Sequence, residues 1–253
     1  MHAPVSYPEN FARFYDVIYA HLRTVDHEYF LRKIKEASGP VLEIGVGTGR
    51  FFLDALRSGA DIYGIDASQA MLRQLLPKLE TPQKHRISLQ DARTLTLRQH
   101  FALIIAPFRM FSHLMTTQDQ LEVLHKVYEH LMPGGQFMFD LYVPDLKILS
   151  EGIHEQIDFD GEYAPGKRLT RTVSSHSDLI QQVSHVTMTL RWEEGDNVKT
   201  ETWNMQMRYF FRYELEHLVC RSKLALKNIF GDYNEGALTR GSKDFVVVCE
   251  RRA

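Results

Sequence analysis

The spacing of hydrophobic positions changes character along the chain. Over residues 8–36, Phe11, Phe14, Tyr15, Ile18, Tyr19 and Leu22 recur at helical intervals, which predicts a helical segment. Gly39-Pro40 interrupts it. Val41-Leu42-Glu43-Ile44-Gly45 is then a short, mostly apolar run ending on glycine, the pattern of a strand buried on both faces. A helix is predicted from Gly49 to Leu56 and a second strand from Ile62 to Asp66. Ser68 is placed to cap the next helix, which carries Met71, Leu72, Leu75, Leu76 and Leu79 and which Pro77 should kink or end. Further strands are predicted at Ile87–Leu89, Phe101–Ala106 and Gln136–Leu141. A helix over Gln118–Met132 should stop at Pro133-Gly134-Gly135. Five short strands alternating with helices predict βαβ units, a parallel sheet and right-handed crossovers.

After Pro144 the period becomes two. Val186, Met188, Leu190 and Trp192 alternate with Thr187, Thr189 and Arg191. Trp203, Met205, Met207, Tyr209 and Phe211 alternate with Asn204, Gln206, Arg208, Phe210 and Arg212, and Glu194-Gly195-Asp196-Asn197 lies between the two runs as a hairpin turn. With a strand over Leu169–Ser175, residues 152–211 read as an antiparallel sheet inserted into the alternating pattern. A helix over Tyr213–Ala225 and strands at Leu226–Phe230 and Phe245–Glu250 complete the chain.

Composition narrows the classes. Of 253 residues, 44% are hydrophobic and 25% charged, ordinary globular values that set aside fibrous and disordered readings. Lys+Arg 30 against Asp+Glu 32 leaves a net charge of −2, with no global electrostatic reason to bind nucleic acid. Cys220 and Cys249 have no zinc spacing and read as free thiols, which suits a cytoplasmic location. No stretch approaches the roughly 18 apolar residues of a membrane span, and Met1–Asn10 has no apolar run of the kind a secretory signal needs.

The most informative segment is Glu43-Ile44-Gly45-Val46-Gly47-Thr48-Gly49-Arg50. Glycines at 45, 47 and 49 let the backbone turn sharply at the carboxyl end of a strand, where open α/β sheets bind ligands. A nicotinamide or flavin fingerprint would want glycine where Arg50 stands. Asp66 closes the second strand about 20 residues after Gly45, placed to accept from ribose hydroxyls. The turn with its preceding acid and the acid at the next strand end predict a nucleoside-containing ligand.

These residues resemble motifs of the class I, Rossmann-like S-adenosylmethionine-dependent methyltransferases. Leu42–Gly49 resembles their first motif, Ile65-Asp66-Ala67-Ser68 with Met71 their second, and Asp91-Ala92-Arg93 the adenine-side motif. Leu131-Met132-Pro133-Gly134-Gly135 resembles the turn before their fifth strand, and Gly231-Asp232-Tyr233 with Phe245–Val248 the region of their last two strands. Position 102 is Ala where many relatives have Asp. The resemblance implies a seven-stranded, mostly parallel sheet with helices on both faces, plus the inserted small antiparallel sheet. It implies S-adenosyl-L-methionine as cofactor and no metal. Glu43, Gly45, Gly47 and Gly49 would hold its methionine part, Asp66 its ribose, and Ala67 and Met71 the adenine side. Asp91 would accept from the adenine amine, Ala92 would offer a backbone N–H, and the Ala106 carbonyl would approach the methionine amino group.

The insertion and the N-terminal segment are similar to those of glycine N-methyltransferase-like and aminosugar N,N-dimethyltransferase-like enzymes. By that resemblance residues 8–36 form a helical lid in which Tyr15 and Tyr19 close over the cofactor and Arg23 meets its carboxylate. The expected division is a cofactor-binding domain of residues 1–151 and 212–253, with 152–211 as an acceptor-side lid or homodimer surface. His113 is a candidate base or a hydrogen-bonded structural histidine. Tyr142 is a candidate substrate wall or part of the sheet junction. Ala106-Pro107-Phe108-Arg109 lacks the N-P-P-Y-type motif of enzymes that methylate DNA bases, so the expected acceptor is a small molecule methylated on nitrogen or oxygen. The rival readings are a non-catalytic S-adenosylmethionine-binding or assembly protein and, further off, a nicotinamide-dependent oxidoreductase.

Overall fold

The computed structural model describes residues 6–20 and 24–252. The chain opens with helices α1 (Glu9–Tyr19) and α2 (Thr24–Glu36) rather than one helix over 8–36. Their apolar faces enter different cores. Phe11, Phe14 and Ile18 of α1 pack among Leu169, Met188, Leu190 and Trp192, whereas Tyr29, Phe30 and Ile34 of α2 pack among Val41, Phe52 and Leu72. One straight rod could not serve both. Arg23 lies outside the described residues.

Then follow β1 (Val41–Ile44), α3 (Phe52–Arg57), β2 (Ile62–Asp66), α4 (Gln69–Leu75), β3 (Ile87–Leu89), β4 (Phe101–Ala106), α5 (Thr117–His130) and β5 (Leu131–Tyr142). All four residues of β1 are buried, as a strand covered on both faces requires. The Ser68 hydroxyl accepts from the Met71 N–H and caps α4, which gives way at Leu75 to a 3-10 turn containing Pro77. α5 ends at His130, and Pro133-Gly134-Gly135 falls inside β5 rather than before it. There the pairing jumps from Phe101↔Leu131 to Leu103↔Gln136, so the extra residues bulge out of the ladder.

After α6 (Leu146–Glu151) come four long strands, β6 (Ile153–Ala164), β7 (Lys167–Asp178), β8 (Val183–Glu194) and β9 (Asn197–Arg208), each antiparallel to its sequence neighbour. The predicted Gly195-Asp196 turn joins β8 to β9. The apolar alternation beyond Met207 does not continue the strand: Phe210 leaves the sheet and is fully buried in the main core. The chain returns through α7 (Arg212–Cys220), β10 (Leu224–Phe230) and β11 (Asp244–Arg251). α7 stops short of the predicted Ala225 because the Ser222 hydroxyl donates to the Val219 carbonyl and accepts from the Leu224 N–H, diverting backbone groups from the helix ladder.

The large sheet runs β10-β11-β5-β4-β1-β2-β3. Only the two pairings made by β11, with β10 and with β5, are antiparallel, so the sheet is mostly parallel. One face is covered by α5 and α7 through Val123, Leu124, Leu215 and Leu218, and the other by α2, α3 and α4. The expected seven-stranded α/β sheet with an inserted antiparallel sheet is therefore present, and the inserted sheet has four strands. Among the described residues no helix is long and apolar enough to cross a membrane, and no cluster of three or more His, Cys, Asp or Glu could hold a metal.

Candidate active site

The carboxyl ends of β1, β2 and β4 open onto a cavity walled by Gly45, Gly47, Asp66, Ala67, Met71, Asp91 and Ala92. Its shape begins with backbone. Gly45 has φ 77°, and a Cβ there would stand 2.7 Å from Met110 Cγ, so this position needs glycine both for conformation and for space. Gly49, at φ 91°, faces away from the cavity, and a Cβ there would lie 2.5 Å from Leu75 Cδ1. Its role is packing between the turn and α4. Gly49→Ala is expected to cost about 2–4 kcal/mol through left-handed strain and overpacking. That corresponds to roughly 5–15 °C in melting temperature for a chain of this size, measured by thermal unfolding.

Asp66 organises the turn. Its Oδ2 accepts from the Gly47 N–H at 2.8 Å and its Oδ1 from the Ser68 N–H at 2.7 Å. Burial raises its pKa, and the backbone hydrogen bonds pull it back only in part. Glu43, fully buried in β1, lines a smaller adjoining pocket with Tyr15, Thr48, Arg50 and Phe108. Its Oε2 has no hydrogen-bond partner. Burial, then the neighbouring Asp66 charge, push its carboxyl well above the usual range, against the pull of Arg50. A buried carboxyl with an unfilled oxygen is a seat for a cationic donor such as an ammonium group.

Asp91 also lines the cavity, but its carboxylate is already engaged. Arg93 Nε donates to both oxygens at 3.0 Å, and Arg93 Nη1 reaches Asp119 at 3.1 Å. Burial would raise the Asp91 pKa, and the Arg93 hydrogen bonds outweigh it and hold it low. Ala106 is fully buried behind the wall, and Pro107 and Phe108 present themselves in its place. Tyr15 lines both pockets. Tyr19 does not reach them. Its ring packs 4.6 Å from Tyr15 and 5.1 Å from Phe108, and its hydroxyl accepts from Arg171 of β7 at 2.8 Å. Tyr19 thus ties α1 to the antiparallel sheet, where Arg171 is paired with Asp158 at 2.7 Å.

His113 ends a short 3-10 turn after β4 and lines two cavities at once. One is the cavity just described. The other is bounded by Met115 and by Val186, Thr187, Trp203, Asn204 and Gln206 of β8 and β9. Its Nδ1 is shut off from solvent without a partner. Burial lowers its pKa to about 4, so the ring is neutral at pH 7. Tyr142 is half exposed beneath the Arg109 guanidinium at 4.0 Å. It lines a different cavity, with Ser112 and Met207.

Three lining residues were not singled out in the sequence. Tyr7 packs tilted against Trp203, ring centres 4.6 Å apart, and lines the cavity beside Tyr15, yet it precedes Pro8 outside any periodic run. Phe108 and Met110 follow β4, where only the position after the strand end signals a ligand-facing loop.

Residues 41–135 match the family described as methyltransferase domain. The chain is 25% identical over 135 residues to YqeM of Bacillus subtilis, a provisionally named methyltransferase, covering 53% of this chain and 55% of that protein. It therefore spans about half the length of that relative. An uncharacterized methyltransferase of Bacillus cereus is 26% identical over 186 residues, covering 69% of this chain and 81% of the other. The CcbJ methyltransferase of Streptomyces caelestis superposes with a TM-score of 0.79 at 22% identity, covering 98% and 99% of the two chains. The sugar N-methyltransferase KedS8 of Streptoalloteichus superposes at 0.77 with 16% identity, covering 100% and 98%. The fold is one also found in S-adenosylmethionine-dependent methyltransferases with an added antiparallel sheet, and residues 41–135 are similar to a methyltransferase domain.

Proposed function

We propose that this protein transfers the methyl group of S-adenosylmethionine to a nitrogen of a small molecule, an oxygen acceptor being the variant of the same chemistry. The observation that carries the reading is His113, which lines both the cavity beside Asp66 and the cavity under β8 and β9. Asp66 suits ribose hydroxyls, and the unfilled Glu43 oxygen suits the amino group of the methionine part. The antiparallel sheet then serves as the acceptor-side wall. The similarity of fold to KedS8, a sugar N-methyltransferase, supports an amine acceptor.

When bound, S-adenosylmethionine would supply an electrophilic methyl to the acceptor lone pair, with the C–S electron pair returning to sulfur to leave S-adenosylhomocysteine. The protein's part is to align the acceptor with the C–S bond and exclude water, which lowers such barriers by about 7–11 kcal/mol at best. His113, with a pKa of about 4, is too weak a base to strip a proton from a free ammonium. Its neutral ring instead forms part of the wall against which a neutral amine is held with its nitrogen lone pair free. Exclusion of bulk water from the site favours that neutral form.

Calorimetry tests the cofactor. S-adenosylhomocysteine is expected to bind and NADH not to; the reverse would overturn the reading. Release of S-adenosylhomocysteine during incubation with a panel of amines then tests for transfer.

The depressed His113 pKa has a consequence for stability. A histidine that holds its proton less well when folded than when unfolded destabilises the fold in acid. The loss develops as pH falls from about 6.5 towards 4, where the unfolded chain binds the extra proton. Its size is about 2–3 kcal/mol, allowing for partial solvent access. His113→Gln is expected to flatten this part of the stability–pH curve, measured by urea unfolding at pH 7 and pH 4.5.

A further inference from the structure

The loop between β4 and the turn carrying His113 contains two successive non-glycine residues in the left-handed region, Phe108 at φ 59° and Arg109 at φ 65°. Such a conformation is costly for residues with a Cβ and persists only where the surroundings hold it. Phe108, like Tyr15, borders both the main cavity and the pocket containing Glu43. The strain therefore sits where the site is assembled.

What holds it is a buried polar cluster built from three distant parts of the chain. The Arg109 guanidinium forms ion pairs with Asp140 near the end of β5 and with Asp244 at the start of β11. Its Nη1 donates to the Tyr233 hydroxyl at 2.8 Å, and that hydroxyl donates to Asp140 Oδ2 at 2.7 Å. The Arg109 backbone N–H donates to Asp140 Oδ1 at 3.3 Å. Asp140 thus grips both the side chain and the main chain of the strained residue. Asp140 is completely buried, and Arg109 and Tyr233 nearly so. The grip passes on to His113: the Arg109 carbonyl accepts from the Ser112 N–H at 2.9 Å, opening the turn that His113 ends.

We propose that Arg109, Asp140 and Tyr233 are positioning residues: they lock the left-handed Phe108–Arg109 turn and thereby place Phe108 and His113 where the two cavities meet. None of the three lies on the wall beside Asp66, and their effect is on alignment. This assignment of a role in alignment rests on the methyl-transfer reading above; the lock itself does not. A fork of the arginine type is required, because one guanidinium engages two carboxylates and a hydroxyl at once.

The test uses the full chain with Tyr233→Phe, which removes one hydroxyl, and Asp140→Asn, which neutralises the central acceptor. His113 is followed by NMR titration of its ring, S-adenosylhomocysteine affinity by calorimetry, and kcat and KM with an amine found by screening. In a folded Tyr233→Phe protein the His113 midpoint is expected to rise from about 4 by a unit or more as the turn relaxes and water reaches Nδ1. The kcat is expected to fall at least about tenfold with KM and S-adenosylhomocysteine affinity within about threefold. A folded Tyr233→Phe protein with an unmoved midpoint and unchanged kcat overturns the proposal, as does a loss of cofactor affinity in step with kcat. If Asp140→Asn does not fold, Tyr233→Phe alone decides. If the wild-type chain binds no S-adenosylhomocysteine, the methyl-transfer reading fails while the His113 titration still tests the lock.

Discussion

Asp66→Ala is expected to weaken binding of S-adenosylhomocysteine by about 30- to 1,000-fold, corresponding to roughly 2–4 kcal/mol for two charge-assisted hydrogen bonds to ribose hydroxyls. The loss has a second source in the free protein. Both Asp66 oxygens accept backbone N–H groups, from Gly47 and from Ser68. Removing the carboxylate therefore also frees the glycine turn that would pass beneath the cofactor. Asp66→Asn is not a gentle control. Whichever way its amide is turned, its NH₂ faces one of those two N–H donors, so it too is expected to lose affinity and some thermal stability. Titration calorimetry at pH 7.5 reads the effect, with circular dichroism to verify folding. Unchanged affinity in Asp66→Ala would remove Asp66 from the ribose site.

His113→Gln is expected to act on the other half of the reaction. The kcat should fall by about 100-fold or more, the scale of a misaligned nucleophile. S-adenosylhomocysteine affinity should stay within about threefold, because the polar groups assigned to the cofactor belong to other elements. This separation is the signature of a residue at the seam between two cavities. Equal losses in binding and turnover would make His113 part of the cofactor wall. No loss in turnover would leave it a buried structural histidine.

Much of this was legible in the sequence because it is local. Val41–Ile44, Ile62–Asp66 and Phe101–Ala106 announce buried strands by short apolar runs. Gly45 and Asp66 announce ligand-facing strand ends because each stands immediately after, or at, the last residue of its strand. What was not legible depends on distant partners. β6 reads as polar because it is an edge strand, most of whose residues face solvent. Nothing around Asp91 tells that Arg93 occupies its carboxylate and is shared with Asp119 of α5. Arg109 looks like a loop cation until Asp140, Tyr233 and Asp244 are brought round it. Tyr142 sits at the end of a strand, as a substrate-facing residue would, but the Arg109 cluster and the antiparallel sheet give it a separate cavity.

The insertion of β6–β9 also bears on how the chain emerges from the ribosome. Each of those strands pairs with its neighbour in sequence, so the four-stranded unit closes through short loops as soon as it is synthesised. The partner of β5 does not arrive until after it: Phe139 pairs with Val247, about 100 residues later. During that interval the edge of β5, with Phe137, Phe139 and Leu141, lacks the strand that will cover it. An apolar, unpaired sheet edge is a template for pairing with other nascent chains. Translation of the last two strands is therefore the aggregation-sensitive window, and holdase chaperones are expected to dwell on nascent chains stalled between Arg208 and Asp244.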